Sequence, residues 1–361
     1  MNAKRKNMRF RPIAILLMAS VIALSTASAF GYDVGDFSYS YNLSTKEGTL
    51  TGYKGSSSHV AIPSSFTVAE TYKDDDGETH TRHHTITVTA IGSSVFANKT
   101  FIKSFSFHKK LKSIGSSAFS GCTGLTEVDI DGTALNLSGA TGLFSECSNL
   151  RRVSFGDGVT ALPNYGYSYY DGPFVGCTNL VEVSVGSGVT KVPTSFLNAN
   201  YGNKKPKPGK VSFAGEISSV GSRSLCISSI TNLEISLAVG CTVESSAFSW
   251  CPGVNERNID FSRIASVGDS AFSGCVNIRG AVSLGRVASV SSSAFYGCAG
   301  ITSVGFSESL TSIGQSAFSG CVALASVQTP ASLTSLGSSA FSGCTGLTEV
   351  DIDGTALNLS G

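Results

Sequence analysis

The chain has 361 residues, a formal charge of +1 and only 14% charged residues. By length alone it could form two globular domains, but it lacks the concentrated basic face that binding to nucleic acid requires. Even the +1 belongs to the N-terminus. Without Lys4, Arg5, Lys6, Arg9 and Arg11, the remainder carries 21 Lys+Arg against 25 Asp+Glu, a net charge of −4. The solvent-facing surface is therefore expected to be rich in hydroxyls rather than ionic.

Residues 1–29 have the three parts of a secretory signal peptide: the basic cluster, an apolar stretch from Ile13 to Leu24, and Ala27-Ser28-Ala29 as a small-residue cleavage site before Phe30. The apolar stretch is short for a membrane-spanning helix. The expectation is an exported mature chain, secreted or held at the cell surface, with no transmembrane anchor once the signal is removed.

Residues 30–90 alternate aromatic or β-branched residues with polar ones, as in FSYSYNLSTKEGTLTGY. This reads as strands and hairpins forming a β-rich N-terminal cap, with a type I′ turn at Asp76-Gly77. Solenoids need such a cap because an open first strand invites edge pairing. The same segment holds Asp74, Asp75, Asp76, Glu78, His80, His83 and His84. Calcium-loop spacing fails there, since Tyr72 would occupy its first position. Adjacent His83 and His84 on a strand point to opposite faces. No metal site and no cofactor are expected.

From residue 91 onward one pattern governs the chain. Phe is followed three residues later by Cys at Phe119/Cys122, Phe144/Cys147, Phe174/Cys177, Phe248/Cys251, Phe272/Cys275, Phe295/Cys298, Phe318/Cys321 and Phe341/Cys344. Phe96 and Phe196 fill the same slot without Cys, and Leu225 stands in for the aromatic, giving about eleven units spaced 22 to 30 residues apart. So short a unit cannot bury its own apolar face, so neighbours must stack around one continuous core. The spacing predicts a solenoid, an array over 91–361.

Within a unit, Leu125, Val128 and Ile130 form L-x-x-V-x-I with Glu127 and Asp129 between the last apolar positions. That alternation predicts a short strand with one buried side. It returns at Leu150/Val153/Phe155, Leu180/Val183/Val185, Ile301/Val304/Phe306 and Leu347/Val350/Ile352. Stacked, these strands give a parallel sheet on one face, with Ser-Ser-Ala-Phe on the other and Gly121 permitting the turn into Cys122. At about 4.8 Å per strand, the array should be on the order of 50 Å long. The aligned cysteines point the same way, and a disulfide needs Cβ atoms that face each other. The ladder is therefore expected to be reduced and buried, and Cys226 and Cys241, off the ladder, are the better candidates for a bridge.

Two insertions and one duplication interrupt the rhythm. Residues 164–173 place Tyr165, Tyr167, Tyr169 and Tyr170 in a loop, which either offers a contact surface or folds back over a neighbouring coil. Residues 203–210, NKKPKPGK, read as a solvated loop that could dock an acidic glycan. Residues 115–139 and 337–361 are the same 25 amino acids, a sign of recent duplication. The second copy suggests a truncated product, or end-to-end association through an uncapped C-terminal coil.

The runs IGSSAFSGCTGLTEVDI, SVGDSAFSGCVNI and SIGQSAFSGCVALASV closely resemble the BspA-like leucine-rich repeat family over roughly residues 86–361. The common leucine-rich consensus places Asn or Cys after the strand, whereas here Cys precedes the first Leu. The resemblance implies a leucine-rich-repeat-like right-handed coil, with a parallel β-sheet face and short turns or helical segments opposite. It also implies a class of activity, because family members are exported or surface-displayed and some are adhesins for host matrix proteins or other microbes. It carries over no binding residue, because the motif residues are core.

Catalysis is disfavoured. All five His residues precede residue 109, so no Ser-His-Asp or Cys-His arrangement can be built within the later array. Binding of a protein or glycan is the leading expectation, through the sheet-face positions Glu127, Asp129, Arg152, Ser154, Glu182, Ser184, Ser303, Glu349 and Asp351, or through the tyrosine loop. The alternative is a structural spacer or surface-layer component with no specific ligand.

Overall fold

The computed structural model describes residues 31–164, 172–197, 205–353 and the backbone of 358–359. The leader, the four loop tyrosines and the first residues of the lysine-rich insertion lie outside the described residues. Ahead of the first coil come β1 (Tyr32–Val34), β2 (Phe37–Asn42), β3 (Glu47–Tyr53), β4 (His59–Ala61), β5 (Ser65–Lys73) and β6 (Thr79–Ile91). β1, β2 and β3 pair antiparallel, as do β5 and β6. Alternation buries Tyr39, Leu50, Phe66, Val68, Ile86 and Val88 on one side. Tyr39 stacks on Phe66 at 4.2 Å between ring centroids.

The β5–β6 turn differs from the sequence expectation. A type I′ turn needs two residues at positive φ, and here only Gly77 has it, at +81°. Asp74 N–H donates to Glu78 O, and Gly77 N–H donates to Asp74 O, each at 3.0 Å. This is a three-residue loop, in which the left-handed glycine ends a tight turn.

The array then runs through β7 (Ser104–Ser106), β8 (Ser113–Ile114), β9 (Glu127–Ile130), β10 (Leu135–Asn136), β11 (Arg152–Phe155), β12 (Val159–Ala161), β13 (Glu182–Val185), β14 (Lys191–Val192), β15 (Lys210–Val220) and β16 (Asn232–Val243). It continues with β17 (Ile264–Val267), β18 (Arg279–Leu284), β19 (Ser289–Val290), β20 (Gly300–Phe306), β21 (Ser312–Ile313), β22 (Ser326–Thr329), β23 (Ser335–Leu336), β24 (Glu349–Ile352) and β25 (Asn358–Leu359). All pairings inside the array are parallel, as a coil that repeats in one direction requires.

Two strand columns run along the solenoid, where the sequence suggested one. The first is the expected L-x-x-V-x-I column: β9, β11, β13, the first halves of β15 and β16, then β18, β20, β22 and β24. The second consists of two- to four-residue strands just before each turn, such as Ser289-Val290 on Ser312-Ile313. Two residues are too few to show alternation, so the sequence pattern hides this column. β15 and β16 are long enough to belong to both columns and join them into one 11-stranded sheet.

Among the described residues turns rather than α-helices close the coils, and the only helical segment is a 3-10 turn at Phe261–Arg263. The SAFSGC turns are themselves stacked and bonded. Phe272 N–H donates to Ala294 O and Phe295 N–H to Ala317 O, each at 2.8 Å. Ser117, Ser270, Ser293 and Ser316 take φ of 53–55° two residues before their Phe, and Gly121, Gly274, Gly297 and Gly320 take 70–76° two residues after it. Each Phe is thus bracketed by two left-handed residues, which tighten the turn and aim the ring inward.

Phe119, Phe248, Phe272, Phe295 and Phe318 are fully buried, with Cys122, Cys251, Cys275, Cys298 and Cys321 beside them. From Phe248 to Phe341 successive rings lie 5.3–5.6 Å apart, with planes within 11° of parallel. Leu225 separates this stack from a second one running through Phe96, Phe119, Phe144 and Phe174. All ten cysteines are free, including Cys226 and Cys241.

The last described coil departs from the pattern read in the sequence. Val350 and Ile352 are exposed, and Phe341 and Leu347 are only half-buried. The same residues in the first copy, Phe119, Leu125, Val128 and Ile130, are buried. The copies share their sequence, so burial here depends on a covering coil rather than on the residues.

Candidate binding surfaces

The register of the first column brings sheet-face residues from distant coils into rows. Glu127, Arg152, Glu182, Lys210 and Asn232 are successive partners across five strands, and Asp129, Ser154, Ser184, Ser212 and Glu234 form the next row. Glu127, Arg152 and Glu182 thus share one line, with Asp129 beside it. The tyrosine-loop candidates fall outside the described residues.

From Glu127 to Lys210 the first row alternates in charge, and its members pair with one another and with Glu234 of the next row. Arg152 Nη2 lies 2.5 Å from Glu127 Oε1. Lys210 Nζ bridges Glu182 and Glu234 at 3.5 and 3.4 Å. Glu127, with which it shares a hydrogen bond, raises the Arg152 pKa, and Glu234 raises that of Lys210. These are solvent-exposed pairs that pin strand register and contribute little to stability. Ser303, Ser326 and Glu349 continue a row on the far side, where Gln328 faces Asp351.

Between these halves the first column is broken. The N-terminal part of β16 has β15 on one side, β18 has β20 on the other, and no strand joins them. The coil between, residues 251–263, turns at Asn255 to Asn258 rather than extending. Ile259 and Phe261 still enter the core. The result is a cleft of about 540 Å³ lined by Glu256, Arg257, Asn258, Asp260, Arg263 and Ser283, among others.

Side chains guard the exposed strand edges at this break. Asn258 Nδ2 donates to Leu233 O at 2.8 Å, and Arg263 Nη1 donates to Leu237 O at 2.9 Å and to Glu216 Oε1 at 2.8 Å. Glu256 Oε2 accepts the Arg279 N–H at 3.2 Å. Asp260 caps the 3-10 turn through Ser262, whose hydrogen bonds hold its carboxyl below the usual range. Arg257 enters no ion pair among the described residues. The break was visible only as a displaced apolar pair: Ile259 and Phe261 fall eight and ten residues after Cys251, where most units place theirs six and eight after the Cys.

The β5–β6 tip gathers Asp74, Glu78 and His80, with one ligand-type atom from each within 4.8 Å of the others. Asp74 is already engaged, because His80 Nε2 sits 2.6 Å from its Oδ2 and the amides of Asp76 and Glu78 donate to its Oδ1. His84, four residues along the same strand, is bonded instead to Glu70 at 2.6 Å and Lys46 at 2.9 Å.

The ladder thiols offer no nucleophile. Burial pushes Cys122 up to about 11 and Cys251 and Cys321 up to about 12, so all three stay protonated at neutral pH.

Stacked parallel coils filled by aligned Phe and Leu define a leucine-rich repeat solenoid. The family model described as the BspA type leucine rich repeat region matches in six copies over residues 81–201, 170–279 and 241–360. The chain belongs to that family. Among solved structures it is similar to a leucine rich cell surface protein from Faecalibacterium prausnitzii (18% identity, 91% of this chain and 95% of that one, TM-score 0.39). It is also similar to a leucine-rich repeat protein from Bacteroides ovatus (20%, 91% and 90%, 0.38) and to the pneumococcal vaccine antigen PcpA (15%, 92% and 90%, 0.32). No curated protein matches the chain.

Proposed function

We propose that this chain is an exported, cell-surface binding protein, led out by residues 1–29, that adheres to host matrix or to other cells through a protein or glycan ligand. The observation that carries this reading is the cleft in the strand face. A repeat array has no structural need to break its own sheet at residues 251–263, yet the break is built, capped and lined with polar and charged groups. Ligands gain most where they enter a recess ringed by polar contacts, and least on flat rim charges. Membership of a repeat family and a ladder of protonated thiols support a non-enzymatic role.

A second reading, a spacer with no specific ligand, draws support from the sheet face itself. Glu127, Arg152, Glu182 and Lys210 satisfy one another and leave little charge to offer a partner.

Binding of the mature chain to immobilised host matrix proteins and to whole cells separates the two. Arg257→Ala should weaken capture at least several-fold without altering the melting temperature. Deleting residues 164–172 tests the tyrosine loop in the same assay. A chain that binds none of these surfaces is a spacer.

A further inference from the structure

Two aromatic residues occupy turn positions that most copies fill with Gly or Ser. Two residues after the anchor Phe, six copies carry Gly (Gly121, Gly176, Gly274, Gly297, Gly320 and Gly343), each at a φ of 70–81°. The copy anchored by Phe248 carries Trp250 there, held at φ 57°. This is the left-handed region that a bulky residue rarely adopts. One residue after the anchor, most copies carry Ser, and the copy anchored by Phe295 carries Tyr296. Neither ring is used for packing in the usual way: Trp250 is 59% exposed and Tyr296 45%.

Main-chain bonds place them together. Trp250 N–H donates to Ser273 O, and Gly274 N–H donates to Tyr296 O, both at 2.7 Å. The indole lies against Gly274, so closely that a Cβ there would come within 2.5 Å of its Cδ2 and Cε3. The indole therefore covers Gly274, whose amide is bonded to the Tyr296 carbonyl of the next coil, so Trp250 and Tyr296 stand two coils apart along one edge. Residues 249–253, 272–278, 295–300 and 318–323, which build this edge, include no charged side chain; Val276 and Val322 are exposed there too, while Ser249 and Ser273 are buried and Asn277 Nδ2 donates to Pro252 O.

We infer that Trp250 and Tyr296 form a binding site for an uncharged glycan, separate from the strand-face cleft. Flat, exposed aromatic faces suit the C–H faces of sugar rings, and the phenol hydroxyl of the exposed Tyr296 can pair with a sugar hydroxyl. The lack of charge fits a neutral chain rather than an acidic one. Trp250 also keeps a left-handed φ without being glycine, as Asn98 and Glu146 do at the same slot of their copies, and of the three it is the bulkiest.

Trp250 is the only tryptophan in the chain, so its emission reports this site alone. The mature full-length protein should be titrated with neutral hexasaccharides of gluco, xylo, manno and galacto type, and with polygalacturonate. At least one neutral glycan should shift the emission saturably, and the acidic one should not. By calorimetry, Trp250→Gly and Tyr296→Ser should each weaken that glycan at least tenfold. Both variants restore the residue that other copies carry, so their melting temperatures should equal or exceed the parent's. If no neutral glycan perturbs the emission, or if both variants bind like the parent, the site does not exist. Arg257→Ala should leave the glycan titration unchanged. Capture of a matrix protein by a chain that ignores every glycan would overturn this site while leaving the strand-face reading intact.

Discussion

The Cys275 thiol donates to the carbonyl oxygen of Phe248, one coil earlier, at 3.1 Å. The same bond recurs from Cys122 to Phe96, Cys147 to Phe119, Cys298 to Phe272 and Cys344 to Phe318, at 3.1–3.2 Å. The cysteine is therefore more than a small apolar filler, because it gives a second donor to a buried carbonyl that would otherwise have only its own turn amide.

That placement makes stability depend on alkaline pH. Burial raises the Cys122 thiol to about 11 and those of Cys251 and Cys321 to about 12, from an unfolded value of 9.0. Between these limits the unfolded chain has lost protons that the folded chain still holds, so stability falls as pH rises. It should be level up to about pH 8.5 and decline steeply above pH 9, with each such thiol contributing roughly 2–4 kcal/mol to the loss once pH passes its folded value. Urea melts at pH 7.5, 9 and 10.5 measure it. Cys275→Ala should flatten the slope while lowering stability at pH 7.5 by about 1–2 kcal/mol. A pH-independent midpoint would show the thiols to be exposed.

Phe272 lies between Phe248 at 5.4 Å and Phe295 at 5.3 Å and is fully buried. Phe272→Ala should lower unfolding free energy by about 3–5 kcal/mol. Ser270, two residues earlier at φ 55°, should behave oppositely: Ser270→Gly should be neutral or stabilising by under about 1 kcal/mol. Denaturant melts of the two variants, run side by side, check the contrast.

The core was legible because its signal repeats. A single Phe-x-x-Cys says little, but the same spacing in successive units leaves stacking as the only way to bury the rings. Everything set by one or two residues was hidden. Ser289-Val290 is too short to read as a strand, and Ser270 gives no hint that it adopts the left-handed region. The cleft was missed because Ile259 and Phe261 keep an apolar alternation even though the segment before them turns out of the sheet. Val350 and Ile352 were misplaced for the opposite reason: their pattern is that of buried Val128 and Ile130, and pattern cannot show whether a neighbour is present.

Arg152 stands in register between Glu127 and Glu182. Arg152→Glu should put three acids in line and lower the melting temperature at low salt, with most of the loss recovered by about 0.5 M NaCl, where screening lengths shrink to a few ångströms. Arg152→Gln should fall between the parent and the reversal. Melting curves across a salt series decide it, and a deficit that salt does not relieve would mean the side chain acts by packing.

Two glycines separate close approach from mere flexibility. A Cβ on Gly158 would lie 1.4 Å from Gly132 O, a backbone atom that cannot swing aside. Leu135 N–H is bonded to Gly158 O at 2.8 Å, so the two coils are locked at that distance. Gly139, one coil earlier, has nothing within 4 Å of the same point, and neither glycine needs a positive φ. Gly158→Ala must therefore push adjacent coils apart or break the pairing of β10 with β12, and it should destabilise by more than about 3 kcal/mol. Gly139→Ala meets no atom and narrows the unfolded ensemble, so it should stabilise by about 0.4–1 kcal/mol. Chemical denaturation of both variants at neutral pH tests the pair. Equal effects would mean that the coils can separate at this point without loss, which the continuous bonding from β6 through β12 does not allow.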